Sequence, residues 1–128
     1  MKKIINTDQA PAPVGPYNQS VAHNGTLYIS GQIAIDPATG NLVSDSIEAE
    51  TRQVLKNLGA ILKAAGCSYE DVLKCSVFVA DMNQYARINA VYAEFFDEKN
   101  APARELVEVA NLPKFVNIEI SAIAALPA

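Results

Sequence analysis

The stretch Tyr17-Asn18-Gln19-Ser20-Val21-Ala22-His23-Asn24-Gly25-Thr26-Leu27-Tyr28-Ile29-Ser30 decides how the chain is folded. Two extended runs, 17–22 and 26–30, flank His23-Asn24-Gly25, and Asn-Gly is a strong hairpin turn signal. Before them, Pro11, Pro13, Gly15 and Pro16 mark an irregular segment. After them, Asp36-Pro37-Ala38-Thr39-Gly40 reads as a second turn.

Farther out, the periodicity changes. Val54, Leu58, Ile61, Leu62 and Ala65 recur at helical spacing, which predicts a helix over 46–65. Asp45 followed by Glu48 resembles a capping box, and Gly66 stands where a C′ glycine belongs. A strand over 71–80 follows, with Leu73, Val77 and Val79 alternating with Lys74 and Ser76. A second helix is predicted over 82–98, with Tyr85, Ile88, Tyr92 and Phe96 as its apolar stripe. Two strands, 104–110 and 116–124, close the chain around the turn Leu112-Pro113-Lys114. The expected architecture is a single α+β domain over 1–128, a mixed β-sheet with two helices on one face. Apolar residues occur at both parities in Ile118, Ile120, Ala122 and Ile123. The second sheet face therefore needs cover, and self-association is its natural supplier.

Composition narrows the function. Half of the 128 residues are hydrophobic, 19% are charged and the net charge is −4. A nucleic-acid footprint is normally basic, and the ten Lys and Arg are scattered, so nucleic acid is not an expected partner. No apolar run approaches the roughly 18 residues of a membrane span. Met1-Lys2-Lys3-Ile4-Ile5-Asn6 lacks the apolar length of a signal peptide. Free thiols at Cys67 and Cys75 and a cytoplasmic location are expected. The one histidine, His23, falls in the hairpin turn and reads as an exposed turn residue. With one His and two Cys, neither a zinc site nor a standard triad is indicated.

What remains is a set of polar residues in apolar settings. Arg104 opens a strand after Ala101-Pro102-Ala103. Asn89 interrupts the stripe between Ile88 and Tyr92, one turn after Tyr85. Glu119 lies inside Asn117-Ile118-Glu119-Ile120-Ser121. Tyr17 follows Gly15-Pro16, and Ser30-Gly31-Gln32 ends a strand. Each has an ordinary structural reading: a solvated strand-edge arginine, a bridging asparagine, a solvent-facing glutamate.

Together these residues resemble a known family. Gly15-Pro16-Tyr17, Ile29-Ser30-Gly31-Gln32-Ile33, Pro102-Ala103-Arg104, Val107-Glu108-Val109, Leu112-Pro113 and Ile118-Glu119-Ile120 look like the RidA (YjgF) reactive-intermediate deaminases, in register over almost the whole chain. The resemblance implies a chorismate-mutase-like fold and a homotrimer with sites at the subunit clefts. It implies hydrolysis of 2-imino acids and their enamine tautomers to 2-keto acids and ammonia, with no cofactor and no metal. It places the carboxylate-binding arginine on Arg104 and the acidic residue on Glu119. The pocket residues fall on Tyr17, Ser30 with Gly31, and Asn89, and on Leu106, whose backbone carbonyl is the contributing group. Arg104 and Glu119 are expected from one chain and Tyr17 from its neighbour, or the reverse.

The physics suits that assignment. Arginine's planar fork matches a carboxylate with two charge-assisted hydrogen bonds. An imine carbon is already electrophilic, so positioned water and a proton donor suffice, and Glu119 would orient the water or shuttle its proton. The chain departs from the family at Glu105, where a small residue is usual, at Leu106, where cysteine is common, and in a shorter Asn100-Ala101 segment. Strand alternation points Glu105 away from Arg104's face. Two competing readings share the resemblance: a regulatory module binding a keto acid without turnover, and a structural trimer with a vestigial cleft. Some relatives are described as translation inhibitors, ribonucleases or regulators of purine genes. The acidic balance counts against RNA.

Overall fold

The computed structural model describes all of residues 1–128. The elements run β1 (Lys3–Ile5), β2 (Ser20–His23), β3 (Thr26–Gln32), α1 (Ile47–Ala64), β4 (Val72–Val79), α2 (Tyr85–Tyr92), β5 (Ala103–Glu108) and β6 (Ile118–Ala125). One six-stranded sheet has the order β1-β2-β3-β6-β4-β5. Every neighbouring pair is antiparallel except β4–β5, which is parallel and joined through α2. The fold is α+β with a mixed sheet and both helices on one face, as expected.

Local chemistry accounts for most boundaries. Asn24 and Gly25 both take positive φ, 49° and 79°, and close the hairpin. β2 nevertheless begins only at Ser20, because Gln19 is buried and ties down the N-terminal segment, its amide donating to Thr7 O and Pro11 O. The short β1, which pairs with β2, was hidden in a segment too brief to show a period. The N-cap of α1 is Ser46, one residue beyond the expected Asp45, and its side chain accepts from Ala49 N at 3.0 Å. Glu48 is turned instead to Arg87 of α2. At the other end, Gly66 takes φ 81°, with Gly66 N donating to Lys63 O and Cys67 N to Leu62 O. That pair of bonds is a Schellman motif.

Two expectations are corrected. The second helix ends at Tyr92, not near residue 98; beyond it the chain turns so that Phe95 and Phe96 meet Tyr69 edge-on at 5.4 and 5.7 Å. In β4 the register shifts between Val72 and Lys74, so Leu73 is exposed, and Val72, Cys75, Val77 and Val79 are the buried set.

The core lies between the helices and one sheet face. Leu27, Ile29, Cys75, Val77, Ile118, Ile120 and Ala122 meet Val54, Leu58, Ile61 and Leu62 of α1 and Ile88 and Val91 of α2. Burying one such aliphatic side chain stabilises the fold by about 1.5–3 kcal/mol. The other sheet face carries Tyr28 and Val107, both exposed, and half-buried Phe78 and Ile123. No helix is long and apolar enough to cross a membrane.

Candidate functional site

Direct cross-strand partners share a sheet face. Arg104 is opposite Cys75, and Cys75 is opposite Ala122, so all three project toward the helices. Glu119 is opposite Phe78, at the other parity of β4, and projects to the uncovered face. The two residues singled out for catalysis therefore stand on opposite sides of one sheet.

On the helix side, α2 presents Tyr85, Asn89 and Tyr92 at i, i+4 and i+7, one face of a helix. Arg104 lies against that face. Its Nη1 donates to Asn89 Oδ1 at 3.0 Å and its Nη2 to the Tyr85 hydroxyl at 3.1 Å. Its Cζ stands 4.7 Å from the Tyr92 ring centroid and 5.8 Å from that of Tyr85. A cavity of about 620 Å³ opens here, lined by Arg104, Asn89, Tyr92, Phe96 and Pro102, with Asp97 and Glu98 also on its wall. Tyr92 is buried, and its hydroxyl faces the Cys75 thiol without a hydrogen bond of normal geometry. Burial pushes the Tyr92 phenol up, and the Cys75 thiol is raised for the same reason. Both stay neutral beside the guanidinium.

On the other side, the β3–β6 register pairs Ile29 with Ala122 and Gln32 with Ile120, leaving Ser30 and Gly31 together opposite Ser121. This bulge brings the Gly31 backbone under Glu119. A Cβ on residue 31 would lie 2.7 Å from Glu119 Cδ, so the glycine makes room for the carboxyl group. A smaller cavity of about 150 Å³ is lined by Tyr17, Gly31, Lys114 and Glu119, with Val14 and Ile33 as apolar wall. Glu119 is paired with no cation, and burial raises its carboxyl above the usual range. A half-buried carboxyl of raised pKa can take and return a proton nearer neutrality.

The structure thus brings Arg104 together with Asn89, and Tyr17 with Gly31 and Glu119. Tyr17 and Glu119, expected from different chains, line one cavity within a chain, because the Gly15-Pro16-Tyr17 segment folds over the β3 bulge. Ser30 does not line that cavity; its hydroxyl donates to Asn18 O at 2.6 Å. Leu106 packs its half-buried side chain toward the core from the edge strand β5. Glu105 faces away from Arg104, as alternation requires, and is held by Ser76 and by Lys74 at 3.1 Å.

Sequence reasoning missed three residues. Tyr85 and Tyr92 read as apolar stripe, although their spacing around Asn89 was the available signal. Lys114 read as turn; it and Phe115 take positive φ, 56° and 54°. That turn is anchored by the buried Glu50 carboxylate, which accepts from Asn117 N and Nδ2 at 2.7 and 2.9 Å. No group of three or more His, Cys, Asp or Glu is placed to hold a metal ion.

Residues 7–126 match the family model described as endoribonuclease L-PSP. The chain is 56% identical over 126 residues to a RutC family protein of Synechocystis, covering 98% of this chain and 97% of that one. It is 47% identical over 124 residues to the 2-iminobutanoate/2-iminopropanoate deaminase of Homo sapiens, covering 97% and 90%. It is also similar to the crystal structure of YyfA from Yersinia pestis, a protein of the conserved Rid family, with TM-score 0.95, 44% identity and coverage of 98% and 100%.

Proposed function

Because the chain belongs to the RidA/YjgF family, we propose that it hydrolyses 2-imino acids and their enamine tautomers to 2-keto acids and ammonia, as a cytoplasmic, cofactor-independent homotrimer of one domain per chain. The observation that carries this reading is the setting of Arg104: Asn89 and Tyr85 take one N–H from each terminal nitrogen and leave the rest of the fork for a carboxylate. The human relative at 47% identity, named as an imine deaminase, supports the same chemistry.

The reaction needs Arg104 and Glu119 on one substrate, and they lie on opposite sheet faces. Association through the uncovered face would satisfy this, each cleft joining the Arg104 side of one chain to the Tyr17–Glu119 side of its neighbour. The substrate carboxylate binds Arg104. Glu119 accepts a proton from water as the water oxygen adds to the imine carbon, and passes that proton to the imine nitrogen. The resulting carbinolamine collapses: Glu119 takes the hydroxyl proton and delivers it to the amino nitrogen, the C–N bond breaks, ammonia leaves, and the hydroxyl oxygen becomes the keto oxygen. The enamine first becomes the imine by gaining a proton at its β-carbon and losing one from nitrogen.

The family's description as an endoribonuclease is the competing activity. Of the ten basic residues, Arg52, Arg87 and Lys74 are held in ion pairs with Glu94, Glu48 and Glu105, and the net charge is −4. Neither favours a phosphate backbone. The deciding experiment follows ammonia release from freshly generated 2-iminobutanoate. Acceleration over the uncatalysed rate is expected; its absence, with 2-ketobutyrate still bound, would assign the chain as a ligand-binding member without turnover.

A further inference from the structure

We infer that Tyr92 is a positioning residue for Arg104: its ring face sets the plane of the guanidinium, so that the unshared edge of the fork meets the substrate carboxylate. The inference rests on Arg104 being the carboxylate anchor.

A guanidinium has five N–H groups in one plane and two open faces. Asn89 and Tyr85 engage that plane through Nη1 and Nη2. Two in-plane acceptors locate the group but leave it free to tip. Cζ stands over the Tyr92 ring at 4.7 Å, and a ring fixed there limits that tipping. The ring itself cannot follow the arginine. It is buried, lies tilted against Phe96 with centroids 4.6 Å apart and planes at 34°, and projects from the same helix as the two acceptors. Its hydroxyl forms no normal hydrogen bond, an arrangement that costs stability when buried. The hydroxyl faces the Cys75 thiol, a weak partner, and the guanidinium stands over the ring.

The test measures binding of 2-ketobutyrate to the whole protein by calorimetry, with Tyr92→Phe and Tyr92→Leu as variants. Tyr92→Phe keeps the face and should bind within about twofold of wild type. Tyr92→Leu keeps an apolar side chain but no face and should raise Kd about tenfold. In imine hydrolysis the same variant should raise KM more than it lowers kcat. An uncharged keto amide of the same carbon skeleton should show no such difference, which a general loss of packing would produce. Tyr92→Met serves if the leucine variant does not fold. Wild-type affinity in a folded Tyr92→Leu protein overturns the inference, and so does an equal loss in Tyr92→Phe. A wild-type protein that binds no keto acid overturns instead the anchor role of Arg104 beneath it.

Discussion

Arg104 and Glu119 project from opposite faces of the same sheet, one toward α2 and the other over the Gly31 backbone. A small substrate cannot touch both within a single chain. Either the chemistry needs only one of them, or a second copy supplies the other. The exposed Tyr28 and Val107 on the face that carries Glu119 favour the second copy.

Mixing two inactive variants tests this directly. Arg104→Ala and Glu119→Gln should each be nearly inactive, while subunits exchanged between them should regain roughly a quarter of wild-type activity if clefts form at random between neighbours. Light scattering should give three chains per particle. No recovery after demonstrated exchange, or a monomer at micromolar concentration, would remove the shared cleft.

Arg104 should be the most sensitive single residue. A desolvated bidentate contact contributes about 2–4 kcal/mol. If it persists in the transition state, Arg104→Ala should lower kcat/KM by roughly 30- to 1000-fold. Arg104→Lys should recover little, because an ammonium is a point charge and cannot engage Asn89, Tyr85 and a carboxylate as a planar fork does. Circular dichroism should be unchanged in both, since Arg104 is not part of the buried core. Near wild-type turnover by folded Arg104→Ala would sink the mechanism.

Gly31→Ala should separate catalysis from folding. The added methyl would meet Glu119 Cδ at 2.7 Å, and the flexible carboxyl must move aside. Activity should fall at least about tenfold, the usual range for a misplaced acid–base group, while the melting temperature changes little. Full activity in this variant would show that the placement of Glu119 over residue 31 does not matter to turnover.

The raised Glu119 pKa makes a prediction about stability. Burial disfavours its charged form, so the folded chain binds this proton more tightly than the unfolded chain. The neutral form costs nothing below the ordinary carboxylate value of 4.5, and a penalty grows as pH rises through the folded value. Glu119→Gln should therefore melt higher than wild type at pH 7, with the difference vanishing in acid, while losing activity. Glu48 behaves oppositely. Its hydrogen bond to Arg87 lowers its carboxyl to about 2, so that contribution is present at neutral pH and lost as pH falls from 4.5 toward 2. A Glu119→Gln variant no more stable than wild type at pH 7 would show that the carboxylate is not desolvated in solution.

Much of the fold was legible in the chain because it rests on interactions spanning a few residues. Asn24-Gly25 closes a hairpin through two positive φ angles, and Gly66 ends α1 through bonds to carbonyls one turn back. The stripe of α1 was readable because helical spacing puts Val54, Leu58, Ile61 and Leu62 on one side. The motif residues Arg104, Glu119, Tyr17 and Asn89 were readable as polar groups in apolar settings. Which of them meet was not. That depends on cross-strand register, which couples residues far apart in sequence and inverts a side chain's face with each single-residue shift. The shift at Val72–Lys74 turned Leu73 out of the core, the pairing of β4 with β5 and β6 set Arg104 and Glu119 on opposite faces, and the bulge at Ser30–Gly31 brought the Gly31 backbone beside Glu119. No local pattern encodes those registers; they follow from packing the whole sheet against α1 and α2, and they hold Arg104 and Glu119 on its two faces.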